Sequence, residues 1–426
     1  MEFTPQGIAT PYPDFGTGET VFSGSSRFLI ESTGANLAIR PGAANETAHV
    51  TFRENAWFQN YIFALRIGGT IGGIGRVDFA GPQWQGRHEW KNWDIAVWFN
   101  VGCNAGYGEM NVMDGLVPVG ACGLSIAGLT NSNNVPSGVV QGRVNVSGGC
   151  MRVLGTEGGT WSKGPHALVV GDGMYCRTVL DGHPFEGELH VSGGSLTNVQ
   201  CNLIVGGGYG KGYFEMTGGE TVMASAANEL MVGFAGGLGT CAIKGGSITG
   251  RGNVYVGGSF TNVIGQGEQF VDFGCPVDRH DAEGTLVVSG GIMQFGGTCY
   301  VGANGAGTVE MSGTGGTLSL GGLVTSNTAA IATSSALKFT LGADGVSPIV
   351  VSGGTKFTDG TKIGVDFTKY TNSRSAVKLI GCYGITADLD ALDVTFTGVR
   401  PGLAKLRLRP DGLYACLLRG MSIKIK

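Results

Sequence analysis

Trp84, Trp90 and Trp93 lie among polar residues in Gln83-Trp-Gln-Gly-Arg-His-Glu-Trp-Lys-Asn-Trp. Their flat faces could stack on sugar rings and form a ligand-binding platform for glycans, or could equally cover an open end of the fold. His190 and Glu215 occupy equivalent places in successive copies of a repeat, with Asn145 one copy earlier. Side by side they could act as an acid/base couple, although a plain surface ion pair is the commoner use of such neighbours. Carboxylates and histidines also gather where the repeat is interrupted: Asp181, His183 and Glu186 in one place, Asp272, Asp278, His280 and Asp281 in another. Such sets could bind a cation or carry out acid/base work on a polysaccharide. The catalytic candidates are therefore His190, Glu215, Asp278 and His280.

Other chemistries find little support. The ten cysteines are spread singly without CxxC pairs, so no zinc or other metal site is expected. Gly206-Gly-Gly-Tyr-Gly-Lys-Gly212 departs from a phosphate-binding loop, with Val205 in place of its first glycine and Gly212 in place of Ser or Thr. Asp does not recur in register as calcium-binding repeats require. No cofactor is expected.

The positioning elements come from one motif, an apolar-polar-apolar triplet followed by a small or polar residue and two glycines. Copies are Val144-Asn-Val-Ser-Gly-Gly149, Leu189-His-Val-Ser-Gly-Gly194, Phe214-Glu-Met-Thr-Gly-Gly219, Cys241-Ala-Ile-Lys-Gly-Gly246 and Leu286-Val-Val-Ser-Gly-Gly291. A second motif, a short β-rich run ending in glycine, alternates with it at Leu168 to Gly171, Leu203 to Gly206, Leu230 to Gly233, Val254 to Gly257 and Cys299 to Gly302. The spacing from Val232 to Ile243 and on to Val256 makes the full unit about 25 residues, a length that suits one rung of a solenoid. Side chains of a strand alternate between faces. Val191, Met216, Ile243, Val288 and Met311 should then point inward, and Asn145, His190, Glu215, Ala242, Val287 and Glu310 should form an outward file at roughly 4.8 Å per rung. By the same parity Cys201, Cys241 and Cys299 read as small apolar residues of the interior. Disulfides stay open for the other cysteines.

The expected fold is an all-β, right-handed parallel β-helix with capped ends. Residues 1–100 hold five of the six tryptophans and lack the clean motif, which suggests an N-terminal cap with degenerate first rungs. Residues 101–354 are the solenoid repeats, and 355–426, rich in Lys and Arg, a C-terminal capping module. With 79 Gly in 426 residues, against a usual share of about 7%, the corners have the residue that left-handed bends need. The repeat is interrupted around Glu157 to His166, Gly173 to Gly187 and Phe260 to Gly284. The last two follow the Val-Gly corner, so both loops should leave one edge of the rod, the expected binding face. A net charge of −4 with 14% charged residues argues against nucleic acid. No stretch approaches the roughly 18 apolar residues of a membrane span, so no membrane insertion is expected. The N-terminus does not read as a signal peptide, nor the C-terminus as an anchor.

The alternation of Ser-Gly-Gly and Val-Gly over roughly Val101 to Gly354 resembles the glycine-rich repeats of autotransporter passengers. It is similar, too, to surface proteins with autotransporter-associated β-strand repeats from the Planctomycetes, Verrucomicrobia and Lentisphaerae group. The segments from Lys378 to Leu389 and from Asp411 to Tyr414 resemble the module that closes such arrays with an Asp-Gly hairpin. The resemblance implies an extracellular or cell-surface protein. The function expected is a non-enzymatic structural or adhesive rod, with glycans or other surface proteins as partners. Two alternatives stay open: a carbohydrate-active β-helix enzyme, lyase or glycoside hydrolase, and a structural segment of a larger surface assembly.

Overall fold

Each repeat folds into three short strands, and each strand pairs in parallel with its counterpart one repeat away. The register is set by the inward residues: Val205 lies beside Val232, Met216 beside Ile243, and Thr221 beside Ile248. A one-residue slip would turn every apolar side chain to the outside, so the alternation itself specifies the pairing. The computed structural model describes residues 2–3, 14–24, 27–30, 36–54, 56–60, 64–81, 83–84, 98–103, 105–120, 123–128, 138–153, 167–174, 180–198, 201–258, 281–327, 334–372 and 376–418. These build a parallel β-helix with three faces. Sheet 1 carries the Val-Gly strands, sheet 2 the apolar triplets, and sheet 3 the strands after the double glycine.

Among the described residues, sheet 2 stacks thirteen strands in unbroken parallel register from Gly18–Phe22 to Asp393–Thr397. At about 4.8 Å per rung this is a rod of roughly 58 Å. The coil runs without interruption across residues 100/101 and 354/355, where the sequence pattern changes. Thr47–Arg53 and Ile74–Ala80 are already regular rungs, and Lys362–Asp366 and Asp393–Thr397 continue the stack at the other end. Sheet 3 then closes with an antiparallel hairpin of Ala404–Arg409 and Gly412–Leu417, the latter strand pairing with Ala376–Gly381.

The glycines have two separable roles. Gly206 has φ +74, the left-handed bend that ends the sheet 1 strand. Gly212, the column beside it, is needed for contact: a Cβ there would lie 2.2 Å from both the Gly206 nitrogen and the Val170 carbonyl oxygen. Backbone thus packs on backbone at this corner from Gly75 to Gly307, whereas Ala48 and Ser335 hold the same column in the flanking rungs. Ala127 occupies the same corner as Gly171 in the next rung, yet holds φ 57 with a side chain.

The interior is a largely apolar stack. Val191, Met216, Ile243 and Val288 are fully buried and Met311 is 1% exposed. Cys201, Cys241 and Cys299 are buried free thiols in the same interior, each pushed up to about 12 by burial. Cys103, Cys150, Cys382 and Cys416 are also unbridged, while Cys122, Cys176 and Cys275 lie outside the described residues. Size is matched between rungs: the Phe295 ring fills the space a Cβ would need at Gly250.

Candidate functional site

The outward face of sheet 2 assembles a continuous polar ladder. Residues two apart on each strand point outward, and each meets its counterpart one rung away, so Asp78, Asn111, Asn145, His190 and Glu215 form one file. Arg76, Glu109, Arg143, Glu188 and Tyr213 form the file beside it. Asp78 receives hydrogen bonds from Asn111 at 2.7 Å and Arg76 at 3.1 Å, and its other oxygen lies 2.8 Å from His49 Nε2. Asn145 donates to Asn111 at 2.7 Å, and Arg143 Nε to Glu188 at 2.8 Å.

His190 and Glu215 do meet, with Nδ1 3.4 Å from Oε2. The imidazole has a second carboxylate partner that the sequence reading passed over, Glu188, 3.1 Å from Nε2. Glu188 lies two residues before His190, a spacing that puts both on one face, and strand alternation could have found it. Lys244 and Tyr213 complete the cluster by bonding Glu215 Oε1.

The electrostatics of this face run one way. Lys244, chiefly, with Tyr213 and His190, holds Glu215 below the usual carboxylate range. Burial works to raise Glu188, but hydrogen bonds from His190 and Arg143 outweigh it, and Asn111, His49 and Arg76 do the same for Asp78. A general acid needs the opposite, a carboxyl that keeps its proton near neutrality. The ladder holds charge in place and cross-ties the rungs.

Sheet 1 differs from the other faces. Its outward residues Val169, Ile204, Met231 and Tyr255 are buried, and with Met174, Phe185, Tyr209 and Phe234 they form a second apolar cluster outside the coil. Segments longer than a tight turn leave along both its edges, at 129–139, 173–184, 257–281 and 326–333 on the side toward sheet 2, and at 85–97 and 154–166 on the side toward sheet 3. The corner between sheets 2 and 3 is short at 147–149, 192–194 and 313–315 and lengthens near the C-terminal end, at 341–348 and 367–375. The 173–184 and 257–281 segments thus share an edge, as expected. His183, in the first, reaches along the rod to within 2.9 Å of the Gly236 carbonyl, two rungs away and one rung short of the second. Asp181 is exposed, Glu186 instead joins the sheet 2 face beside Gln141 and Lys211, and Asp281 sits at the foot of the larger segment. Asp272, Asp278 and His280 lie outside the described residues, as do Trp90, Trp93 and the side chain of Trp84, whose backbone pairs with Phe58.

Two carboxyls with raised affinity for protons flank sheet 1. Burial pushes Asp172 up to about 6 against hydrogen bonds from Ser125 and the Met174 amide. Burial pushes Glu229 up to about 7, opposed by Asn253. Asn253 Nδ2 lies 3.3 Å from Glu229 Oε1 and 3.2 Å from the Tyr255 hydroxyl, and Tyr255 stacks on Tyr300 at 5.1 Å. Neither carboxyl lies in a motif, and burial outside the coil cannot be read from alternation, so neither is legible in the sequence. Among the described residues no cluster of three or more His, Cys, Asp or Glu could hold a metal, and no helix is long and apolar enough to cross a membrane. Comparisons with protein-family models, curated proteins and solved structures return no match for this chain.

Proposed function

We propose that this protein is a secreted or cell-surface β-solenoid with a structural and adhesive role, a stiff rod that meets glycans through the segments bordering sheet 1. The observation that carries this reading is the distribution of the long segments. Between residues 85 and 333 they flank one sheet on both edges, while the charges of sheet 2 satisfy one another within the rod. Loops set on a rigid scaffold are where proteins place recognition. The likeness of the repeats to autotransporter passengers supports the extracellular setting.

The enzymatic reading draws on Glu229, whose proton affinity suits a general acid. It also requires a second carboxylate within about 10 Å. Asp172 does not serve, because it belongs to the opposite edge of sheet 1 and is wholly buried against Ser125. The test is a polysaccharide panel scored for both retention and product release. Retention without new reducing ends or unsaturated products is expected. Turnover that disappears in Asp278→Asn, His280→Ala or Glu229→Gln would replace the adhesive reading with the enzymatic one.

A further inference from the structure

The closing hairpin of sheet 3 carries a line of cations. Alternation along Ala404–Arg409 turns Lys405, Arg407 and Arg409 to one face, all exposed, while Ala404 and Leu406 turn to the other and pack against the core. Alternate residues of an antiparallel strand are about 6.8 Å apart, so the three charges span roughly 14 Å in a straight row. Among the described residues none of the three has an ion-pair partner, whereas Arg76, Arg143, Lys211, Lys244 and Lys338 are all paired. In a chain of net charge −4 this is a local excess of opposite sign.

The row lies on an edge strand. Ala404–Arg409 pairs with Gly412–Leu417 on one side and has no strand neighbour on the other among the described residues. Its outer amides and carbonyls are therefore open to a hydrogen-bonding partner, beside guanidinium groups suited to carboxylate or sulfate. Nearby, Tyr414 is already engaged: Arg409 lies 4.4 Å and Lys378 5.4 Å from its ring centre, and its hydroxyl donates to Asp411 at 2.8 Å.

We infer that this hairpin binds a linear acidic polysaccharide, its anionic groups meeting Lys405, Arg407 and Arg409 and its hydroxyls meeting the open strand edge. A polymer rich in both hydroxyls and regularly spaced anions matches the two features together. Single-stranded nucleic acid would need free aromatic faces along the row for its bases, and the aromatic of the hairpin itself, Tyr414, is covered by cations. A lipid surface would need apolar side chains beside the cations, and Leu406 and Leu408 turn to the opposite face. The inference stands apart from the reading of sheet 1.

The test uses the full chain over immobilised polygalacturonate and dextran sulfate, with neutral dextran, phosphatidylserine-containing vesicles and poly-dT as further arms. The variant Lys405→Gln/Arg407→Gln/Arg409→Gln is compared with Arg152→Gln/Arg251→Gln/Lys356→Gln, which removes the same charge from other exposed sites. The hairpin variant should lose about tenfold or more in affinity for the acidic polysaccharides and the control about twofold or less, with binding weakened by salt. Whichever of the uronate and sulfate arms binds more tightly identifies the preferred anion. Equal losses in both variants, no retention on either acidic polysaccharide, or equal or tighter binding to vesicles or poly-dT would overturn the inference.

Discussion

Glu229→Gln should change how the coil responds to pH. Glu229 is 8% exposed, its carboxyl accepts from Asn253 and lies near Tyr255, and no cation contributes to its environment. Burial raises it from its ordinary 4.5 to about 7, so the folded rung holds a proton that the opened rung releases. An acid with raised proton affinity in the folded state stabilises fully below pH 4.5, and that contribution is lost as pH rises to about 7. At about 1.4 kcal/mol per pH unit the loss is about 3 kcal/mol. Because a solenoid can open locally, the assay is amide hydrogen exchange in Leu230–Phe234, the strand that follows Glu229. After correction for intrinsic rates, protection of Met231 and Val232 should fall by about two orders of magnitude from pH 4.5 to 8. Glu229→Gln keeps an acceptor for Asn253 and should flatten that dependence. Parallel profiles for the two proteins would refute the reasoning.

The corners and the core supply further expectations. Gly212→Ala forces a Cβ against backbone on two sides and should cost about 3 kcal/mol or more, whereas at Gly364 the nearest atom is the Lys338 Cγ at 3.7 Å, so Gly364→Ala should be neutral or slightly stabilising; thermal midpoints distinguish the two. Ala127→Gly relieves φ 57 and should stabilise by about 0.5 to 1 kcal/mol by denaturant titration. Asn198 is fully buried and among the described residues neither of its side-chain polar atoms is bonded, so Asn198→Leu should raise stability by about 1 to 2 kcal/mol in the same titration, and a loss would contradict that placement.

Much of the fold was legible because it rests on period and parity. The positions of Val191, Met216 and Ile243 follow from a two-residue alternation, and rung length from the interval between double glycines. His190 and Glu215 met for the same reason. Rungs within residues 1–100 were expected only as degenerate ones, because at Thr47–Arg53 and Ile74–Ala80 the residues Arg53-Glu54 and Ala80-Gly81 stand where other rungs have Ser-Gly-Gly. Glu229 and Asp172 were hidden for a different reason. Their chemistry comes from burial on the outside of sheet 1, which leaves no trace in local spacing. Cys201, Cys241 and Cys299, by contrast, were correctly placed by parity alone.

The account's central claim, that recognition belongs to the segments bordering sheet 1 while the coil only carries them, is tested most directly by shortening one of them. The next rung turns from sheet 1 to sheet 2 with only Gly302-Ala-Asn304 between Val301 and Gly305, and Val254–Val256 and Ala282 onward are in register with it. Replacing residues 257–281 with that short turn should leave the β-sheet circular dichroism intact. Binding of the shortened protein to the neutral glycans of an array should fall to background while the unaltered chain binds. Undiminished binding by a folded, shortened protein would contradict the claim.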